Sequence, residues 1–192
     1  MKFVVCFAAA LAMATPAIAG GDLGISELRA GVMIDDFELH STAPIWWVPY
    51  PNTINIDNLG TLSFDVLFRT PKIGVFQWMG SPRPVIGIDL NFKHESMVHA
   101  ALNWHLPIAK TGFFAEAEFG GALHDGQLKD QTAPFRNLGC PALFYIGFNV
   151  GYQISDHWNI MATEQHASQG GLCGWSNNQG LNYTGIRIGY KF

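Results

Sequence analysis

Apolar and polar residues alternate over most of the chain beyond its N-terminal segment. The first alternating segment has one face formed by Leu28, Ala30, Val32 and Ile34 and another formed by Arg29, Gly31, Met33 and Asp35. Successive side chains of a β-strand point to opposite sides, so this pattern is typical of a strand with one apolar face. Segments of about 9 to 11 residues with this character start near Leu28, Gly60, Val85, Ser96, Phe113, Ala142, Trp158 and Gly180. The pattern predicts an all-β protein, an eight-stranded antiparallel barrel.

Charged side chains in several of these segments lie on the face opposite the apolar one. The predicted barrel interior contains Arg29, Arg69, Lys93 and Arg187 together with Asp35, Asp65, Asp89, Glu116 and Glu118. Opposite charges can pair there, and side chains fill the interior of so small a barrel, so no pore is predicted. A soluble barrel has its apolar face inside instead, and alternation alone is compatible with both arrangements.

The end of the chain and its composition favour a barrel that spans a membrane. The last strand ends in Tyr190-Lys191-Phe192, which resembles the aromatic end of bacterial outer-membrane barrels. The 192 residues are 48% hydrophobic and 14% charged, which suits one folded domain. Beyond the N-terminus no apolar run reaches the ~18 residues of a transmembrane helix, and a closed barrel is the other structure that crosses a bilayer. The net charge of -4 argues against a nucleic-acid partner.

The N-terminus has the features of a secretory signal peptide. Lys2 precedes an apolar stretch from Phe3 to Met13, and Ala17-Ile18-Ala19 has the small-x-small pattern of a cleavage site. We therefore expect a signal peptide over residues 1–19 and a barrel domain over residues 20–192. The alternative, an uncleaved membrane anchor, requires a longer apolar span. Cys6 is removed with the signal, and it lacks the Leu-x-Gly-Cys context of lipoprotein processing.

The order of the strands predicts where the loops lie. If both chain ends face the periplasm, the outer loops are residues 37–58, 94–96, 123–141 and 169–179. Cys140 and Cys173 then lie in the last two outer loops of an exported chain, so we expect them to form a disulfide. Residues 70–83 form an inner connection longer than the pattern explains. In the first outer loop, Trp46, Trp47 and Tyr50 suit an aromatic belt or a flap that contacts lipid.

The seventh segment carries a histidine and a serine two residues apart, in the sequence EQHASQGGLC. The outward face of this strand contains Trp158, Ile160, Ala162, Glu164, His166 and Ser168. Residues i and i+2 of a strand lie ~6.5 Å apart with parallel side chains, so an imidazole can take the serine proton. The alternative is a polar pair at the membrane interface. On the inward face of the fourth strand, His99, Asn103 and His105 suit hydrogen bonding better than metal ligation.

The sequence TEQHASQGGLCGWSNNQGLNYTGIRIGYKF, residues 163–192, resembles the lipid A 3-O-deacylases. These are outer-membrane acyloxyacyl hydrolases built as eight-stranded barrels. The residues that fit the family pattern are His166, Ser168, Asn178, Gly180, Gly185, Arg187, Gly189, Tyr190 and Phe192, with Lys191 in place of an arginine. The segment FFAEAEFGGALHDG, from Phe113 to Gly126, is similar to the family's fifth strand.

The resemblance implies a serine esterase. Ser168 is the expected nucleophile towards the ester at the 3-position of lipid A, and His166 is its base. The family's glutamate, which orients the histidine, is Asn182 here, and Gln169 and Gly170 stand where Asn-Ala accompanies the oxyanion hole. Because Glu164 shares the outward face with His166, it is a second candidate for the acid.

The sequence therefore predicts an outer-membrane lipid A deacylase whose site faces the outer leaflet. Its substrate is the lipid A of lipopolysaccharide, and it requires neither a metal nor an organic cofactor. Two other functions remain open. A barrel of the same fold without catalytic activity has a structural or surface-binding role, and an acyltransferase passes the acyl group to an acceptor other than water.

Overall fold

The computed structural model describes residues 24–35, 59–129, 135–174 and 178–192. Its eight strands are β1 (Ile25–Asp35), β2 (Leu59–Phe68), β3 (Arg83–Asn91), β4 (Met97–Pro107), β5 (Phe113–His124), β6 (Ala142–Gln153), β7 (Trp158–Ser168) and β8 (Leu181–Lys191). Each strand starts within three residues of its predicted start. The predicted signal peptide and the aromatic residues Trp46, Trp47 and Tyr50 lie outside the described residues.

The strands form one closed antiparallel barrel. Each strand pairs with the next one along the chain, and β8 pairs with β1 to close the wall. In that closing pair Val32 lies opposite Ile186 and Ala30 lies opposite Ile188, so the outward apolar residues of the two strands coincide. The predicted eight-stranded antiparallel barrel is confirmed.

The long connection between β2 and β3 contains a short helix, α1 (Gly74–Trp78). A hydrogen bond from Thr70 Oγ1 to the Ser81 carbonyl, at 3.0 Å, closes the connection at its base. This helix accounts for the length of the connection, which the alternating pattern did not explain. In the part of the chain that the structure describes, no helix is long and apolar enough to cross a bilayer.

The outer surface of the barrel is apolar. Large exposed side chains of the wall include Val32, Ile86, Val98, Phe119, Phe148, Val150 and Ile186. A soluble barrel requires the reverse, because in water the apolar face has to be inside. The alternation therefore belongs to a barrel with apolar side chains on its outer wall and charged side chains within.

Two buried groups of ion pairs fill the interior. In the first, Arg29 lies 2.9 Å from Glu27 and 2.8 Å from Glu116, and Arg83 lies 2.7 Å and 2.8 Å from the same two carboxylates. Glu118 completes this group at 3.4 Å from Arg29. Each buried charge has a partner of opposite sign, which buried charges require.

In the second interior group, Arg187 pairs with Asp65 at 2.7 Å. His99 lies between Asp65 and Asp89, with N–O distances of 3.4 and 3.3 Å, and its ring stacks on Tyr145. Buried apolar residues include Met33, Leu67, Val85, Met97, Leu138, Leu143, Leu181 and Tyr183. Charged and apolar side chains together fill the interior of the barrel.

Two residues predicted to lie inside the barrel are exposed instead. Arg69 follows the last residue of β2, and Lys93 lies two residues beyond the end of β3. Alternation no longer fixes the direction of a side chain once the strand has ended, so the prediction for both residues was wrong. The interior instead contains Glu27 and Arg83, which lie in β1 and β3 upstream of the predicted strand starts.

Candidate active site

The hairpin of β7 and β8 brings polar residues together on the outside of the barrel. In its register His166 lies directly opposite Asn182, and Glu164 lies directly opposite Thr184. Directly opposed residues of antiparallel strands have Cβ atoms about 4.5–5.5 Å apart, close enough for side-chain contact. His166, Ser168 and Asn182 are half-buried at the rim opposite to the start of β1 and the end of β8.

His166 makes one hydrogen bond on each side of its ring. Nδ1 lies 2.7 Å from Asn182 Oδ1, and Nε2 lies 3.0 Å from Ser168 Oγ. An amide oxygen only accepts hydrogen bonds, so Nδ1 carries the proton and Nε2 presents a lone pair to the serine hydroxyl. This is the tautomer that a base acting on Ser168 needs.

Glu164 does not take part in this row of hydrogen bonds. Its carboxylate accepts a hydrogen bond from the hydroxyl of Thr184, its direct partner across the hairpin. Of the two candidates for orienting the imidazole, the structure brings Asn182 to Nδ1 and turns Glu164 away from it.

The loop after Ser168 folds back over the end of the hairpin. The backbone N–H of Gln169 donates to Asn178 Oδ1 at 3.1 Å, and the buried Gln169 side chain bonds the backbone of Cys173 and Gly174. Gly170 has a φ of 56°, in the left-handed region that favours glycine. Of the two residues predicted for the oxyanion hole, Gln169 thus has its N–H committed to Asn178, whereas no described residue accepts from the N–H of Gly170.

Gly180 immediately precedes β8 and lies close to the ring of His166. Its φ is 72°, and a Cβ atom at this position would lie 3.1 Å from His166 Cε1 and 3.2 Å from the Ala167 carbonyl oxygen. Arg136, from the loop between β5 and β6, donates a hydrogen bond to the Gly180 carbonyl at 3.0 Å. Sequence reasoning missed Arg136, because no pattern along the chain connects residues 44 positions apart.

We predict that Gly180→Ala lowers the activity of the site. The added methyl group presses on the imidazole, and a left-handed alanine costs about 1–2 kcal/mol. A loss of about tenfold or more in turnover is expected, with the folded barrel retained. Gly174→Ala is the matched control, because Gly174 also has a positive φ, 91°, but has open space around its Cβ position. If both variants lose the same turnover, the effect comes from the strained backbone conformation and not from contact with His166.

Cys140 and Cys173 are joined by a disulfide, with their Cα atoms 5.6 Å apart. The bond links the loop between β5 and β6 to the loop that follows Ser168. Nearby, Asn137 N–H donates to Gln179 Oε1 at 2.6 Å, and Gln179 N–H donates to the Asn137 carbonyl at 3.1 Å. Together with the Arg136 contact, these links join the two loops that flank the site.

We predict that the protein isolated from its native membrane contains this disulfide. Peptide mapping without reductant is expected to recover one linked pair of peptides, containing Cys140 and Cys173. Reduction should convert the pair into two separate peptides, which serves as the control. Alkylation of both thiols before any reduction would contradict the prediction.

The two histidines predicted for the inward face of β4 lie beside carboxylates, His99 buried in the interior and His105 exposed near the end of the strand. His105 Nδ1 lies 2.8 Å from Glu116, and Asn103 donates to Glu116 and Glu118 at 3.0 and 2.9 Å. His99 pairs with two aspartates, as described above. Among the described residues, no group of three or more histidines, cysteines or carboxylates is arranged to hold a metal ion.

The fold and the site define a closed eight-stranded barrel with a serine–histidine–asparagine row on its outer wall. The family model of the lipid A 3-O-deacylases (PagL) matches residues 61–191. The chain belongs to this family. No curated protein sequence matches the chain.

Solved structures of other barrels are similar to this one. A crystal structure of the outer membrane enzyme PagL has 13% identity and a TM-score of 0.58, covering 87% of this chain and 100% of that chain. The N-terminal β-barrel domain of Pseudomonas aeruginosa OprF has 10% identity and a TM-score of 0.49, covering 87% and 98%. The first likeness shows the fold.

Proposed function

We propose that this protein is a lipid A 3-O-deacylase, a serine esterase acting in the outer leaflet of the bacterial outer membrane. The observation that carries the proposal is the row of hydrogen bonds from Ser168 through His166 to Asn182. The row lies at the rim of the apolar outer wall, where the acyl chains of a lipid can reach it. Membership of the lipid A 3-O-deacylase family supports lipid A as the substrate.

Acylation begins with the Ser168 hydroxyl. His166 Nε2 accepts its proton while Ser168 Oγ attacks the carbonyl carbon of the ester at the 3-position of lipid A. The negative charge that develops on the carbonyl oxygen needs a hydrogen-bond donor. The N–H of Gly170, two residues after the nucleophile, is the donor we assign to it. When the intermediate collapses, the sugar oxygen leaves with the proton from His166, and the acyl group remains on Ser168.

Deacylation repeats these steps with water. His166 removes a proton from the water, whose oxygen attacks the acyl-serine, and the fatty acid leaves as Ser168 recovers its proton. The products are 3-O-deacylated lipid A and a 3-hydroxy fatty acid. During both steps Asn182 Oδ1 accepts a hydrogen bond from the Nδ1–H group of His166, which keeps the imidazole ring in place. Asn182 supplies orientation without the negative charge of a carboxylate.

The proposal includes export and orientation. A signal peptide over residues 1–19 directs the chain out of the cytoplasm, and the rim that carries Ser168 faces the cell surface. Exposed aromatic and aliphatic residues around the wall contact lipid, and no metal or organic cofactor takes part.

Mass spectrometry of lipid A tests the proposal directly. Lipid A from cells that produce the protein is expected to lose the mass of one 3-hydroxyacyl chain, and lipid A from cells producing Ser168→Ala is expected to keep it. Transfer of the acyl group to another acceptor would instead give a product heavier by one acyl chain, without release of free fatty acid. Unchanged lipid A in both strains would refute the enzymatic function.

A further inference from the structure

The connection between β2 and β3 exposes an apolar surface at the rim opposite to the candidate active site. We call residues 70–82, which contain α1, the β2–β3 foot. Trp78 is 86% exposed, and Ile73 and Val75 are 53% and 55% exposed. Helix α1 has no buried residue. In water such a surface is unfavourable, because apolar area is stabilised by its removal from water.

The foot lies against the outer wall and not beneath the lumen. Trp104 belongs to the outward face of β4, together with the exposed residues Val98 and Leu106. Its indole Nε1–H donates to the Met79 carbonyl at 2.7 Å. The Cβ position of Gly80 is 3.7 Å from the same indole ring. The apolar surface of the foot therefore continues the apolar surface of the wall.

Aromatic residues surround this rim of the barrel. Phe113 contacts Tyr152, with ring centroids 5.0 Å apart, and Trp158 contacts Tyr190 at 4.9 Å. Phe113, Tyr152 and Trp158 are also exposed. Aromatic side chains of this kind concentrate where a bilayer meets water. The foot joins the wall at the level of this belt, at the end of β2 and the start of β3.

The backbone of the foot is suited to an apolar environment. Hydrogen bonds within it run from Met79 N–H to the Val75 carbonyl at 3.0 Å and from Ser81 N–H to the Phe76 carbonyl at 2.7 Å. Others run from the N–H groups of Phe76 and Gln77 to the Ile73 carbonyl. Each N–H group that is satisfied within the segment lowers the cost of placing the backbone at the boundary of a bilayer.

The charges within and beside the foot are suited to an anionic lipid surface. Arg69 and Lys72 are exposed, and residues 69–82 contain no aspartate or glutamate. Cationic side chains beside an apolar helix are typical of segments that lie on anionic lipid surfaces. The rim of the foot also contains the start of β1 and the end of β8, and it lies opposite to Ser168.

We infer that the β2–β3 foot is an interfacial anchor that inserts Ile73, Val75 and Trp78 into the phospholipid leaflet on the periplasmic side. Arg69 and Lys72 meet the phosphate groups of that leaflet. The anchor is separate from the catalytic proposal, since it lies at the other end of the barrel. Because the foot is embedded in the leaflet beside the barrel wall, it fixes how deeply this rim of the barrel lies in the bilayer.

A fluorescent label at position 75 tests the anchor. In Val75→Cys, labelled with bimane and reconstituted into phospholipid vesicles, the label is expected to be quenched by doxyl groups on the lipids and protected from aqueous iodide. Cys6→Ser in every variant, with the disulfide left intact, restricts labelling to the new thiol. Asp156→Cys is the matched control, because Asp156 is exposed in the turn between β6 and β7 at the same rim. Its label should respond to iodide.

A third variant separates the possible outcomes. Val150 is 58% exposed on the outer wall within β6, so a label in Val150→Cys should be quenched by lipid. If iodide reaches position 75 as readily as position 156 while position 150 remains in lipid, the anchor is wrong and the membrane barrel stands. If the label at position 75 is protected from iodide only at high protein density, and loses this protection when the protein is diluted in excess lipid, the surface binds a second copy of the chain. Loss of lipid quenching at position 150 refutes both the anchor and the membrane location, whether or not lipid A is deacylated.

Discussion

Replacement of either Ser168 or His166 by alanine is expected to abolish deacylation of lipid A. Removal of the nucleophile or of its base in serine hydrolases lowers turnover on the order of 10⁴ to 10⁶-fold. The two losses should be similar, and the double variant should lose little more, because the two residues act as one unit. Release of 3-hydroxy fatty acid from purified lipid A, followed by mass spectrometry, measures the effect.

The barrel should remain folded in these variants, because both side chains lie on the outer wall and fill no part of the interior. Retention of the gel mobility of the unheated protein checks this. Ser155→Ala and His157→Ala are matched controls, since these residues have the same spacing in the turn at the opposite rim. Full activity in Ser168→Ala would exclude Ser168 as the nucleophile and redirect the search to another part of the surface.

A negative charge at position 182 is expected to raise the activity. In the structure Asn182 Oδ1 lies 2.7 Å from His166 Nδ1 and orients the ring, but it cannot stabilise the imidazolium that forms when Ser168 loses its proton. A carboxylate supplies that charge, so Asn182→Glu, which introduces the family's residue, should increase turnover about 10 to 10³-fold. Asn182→Asp tests the charge at nearly unchanged side-chain size. Kinetics under single-turnover conditions measure both.

The same kinetic measurement, applied to two further variants, decides the role of Glu164. Its carboxylate accepts a hydrogen bond from the Thr184 hydroxyl, so Glu164→Gln should cost little. Asn182→Ala should cost more, because the ring loses the hydrogen-bond acceptor that the structure places at Nδ1. If instead Glu164→Gln lowers turnover about 10³ to 10⁴-fold, Glu164 moves to the histidine in the substrate complex and supplies the charge. Absence of activity in the wild type and in Asn182→Glu alike would support a barrel with a structural or surface-binding role.

Much of the fold follows from the sequence, because the direction of each side chain in a strand depends only on its position in the chain. The aromatic end of the chain favoured the arrangement with the apolar face outside. Alternation predicted the eight strands and the shared face of Asp65, Asp89, Glu116 and Glu118, opposite the apolar one. It failed where the strands end. Arg69 and Lys93 lie beyond β2 and β3 and are exposed, whereas Glu27 and Arg83 lie within strands that begin earlier than the pattern indicated.

The sequence by itself also determined which residues of β7 share the outer wall, because His166, Ser168 and Glu164 differ by even numbers of positions. It could not determine which of them meet. Glu164 and Ser168 are equally distant from His166 along the strand, yet only Ser168 bonds the ring. The register of β7 against β8 decided this, since it sets Asn182 opposite His166 and Thr184 opposite Glu164. A slip of the register by two residues would keep every side chain on its face but could set Asn182 opposite Glu164 instead of His166. Likewise, only the tertiary structure brings Arg136 to Gly180 and Met79 of the foot to Trp104, because these contacts join residues 44 and 25 positions apart in the chain.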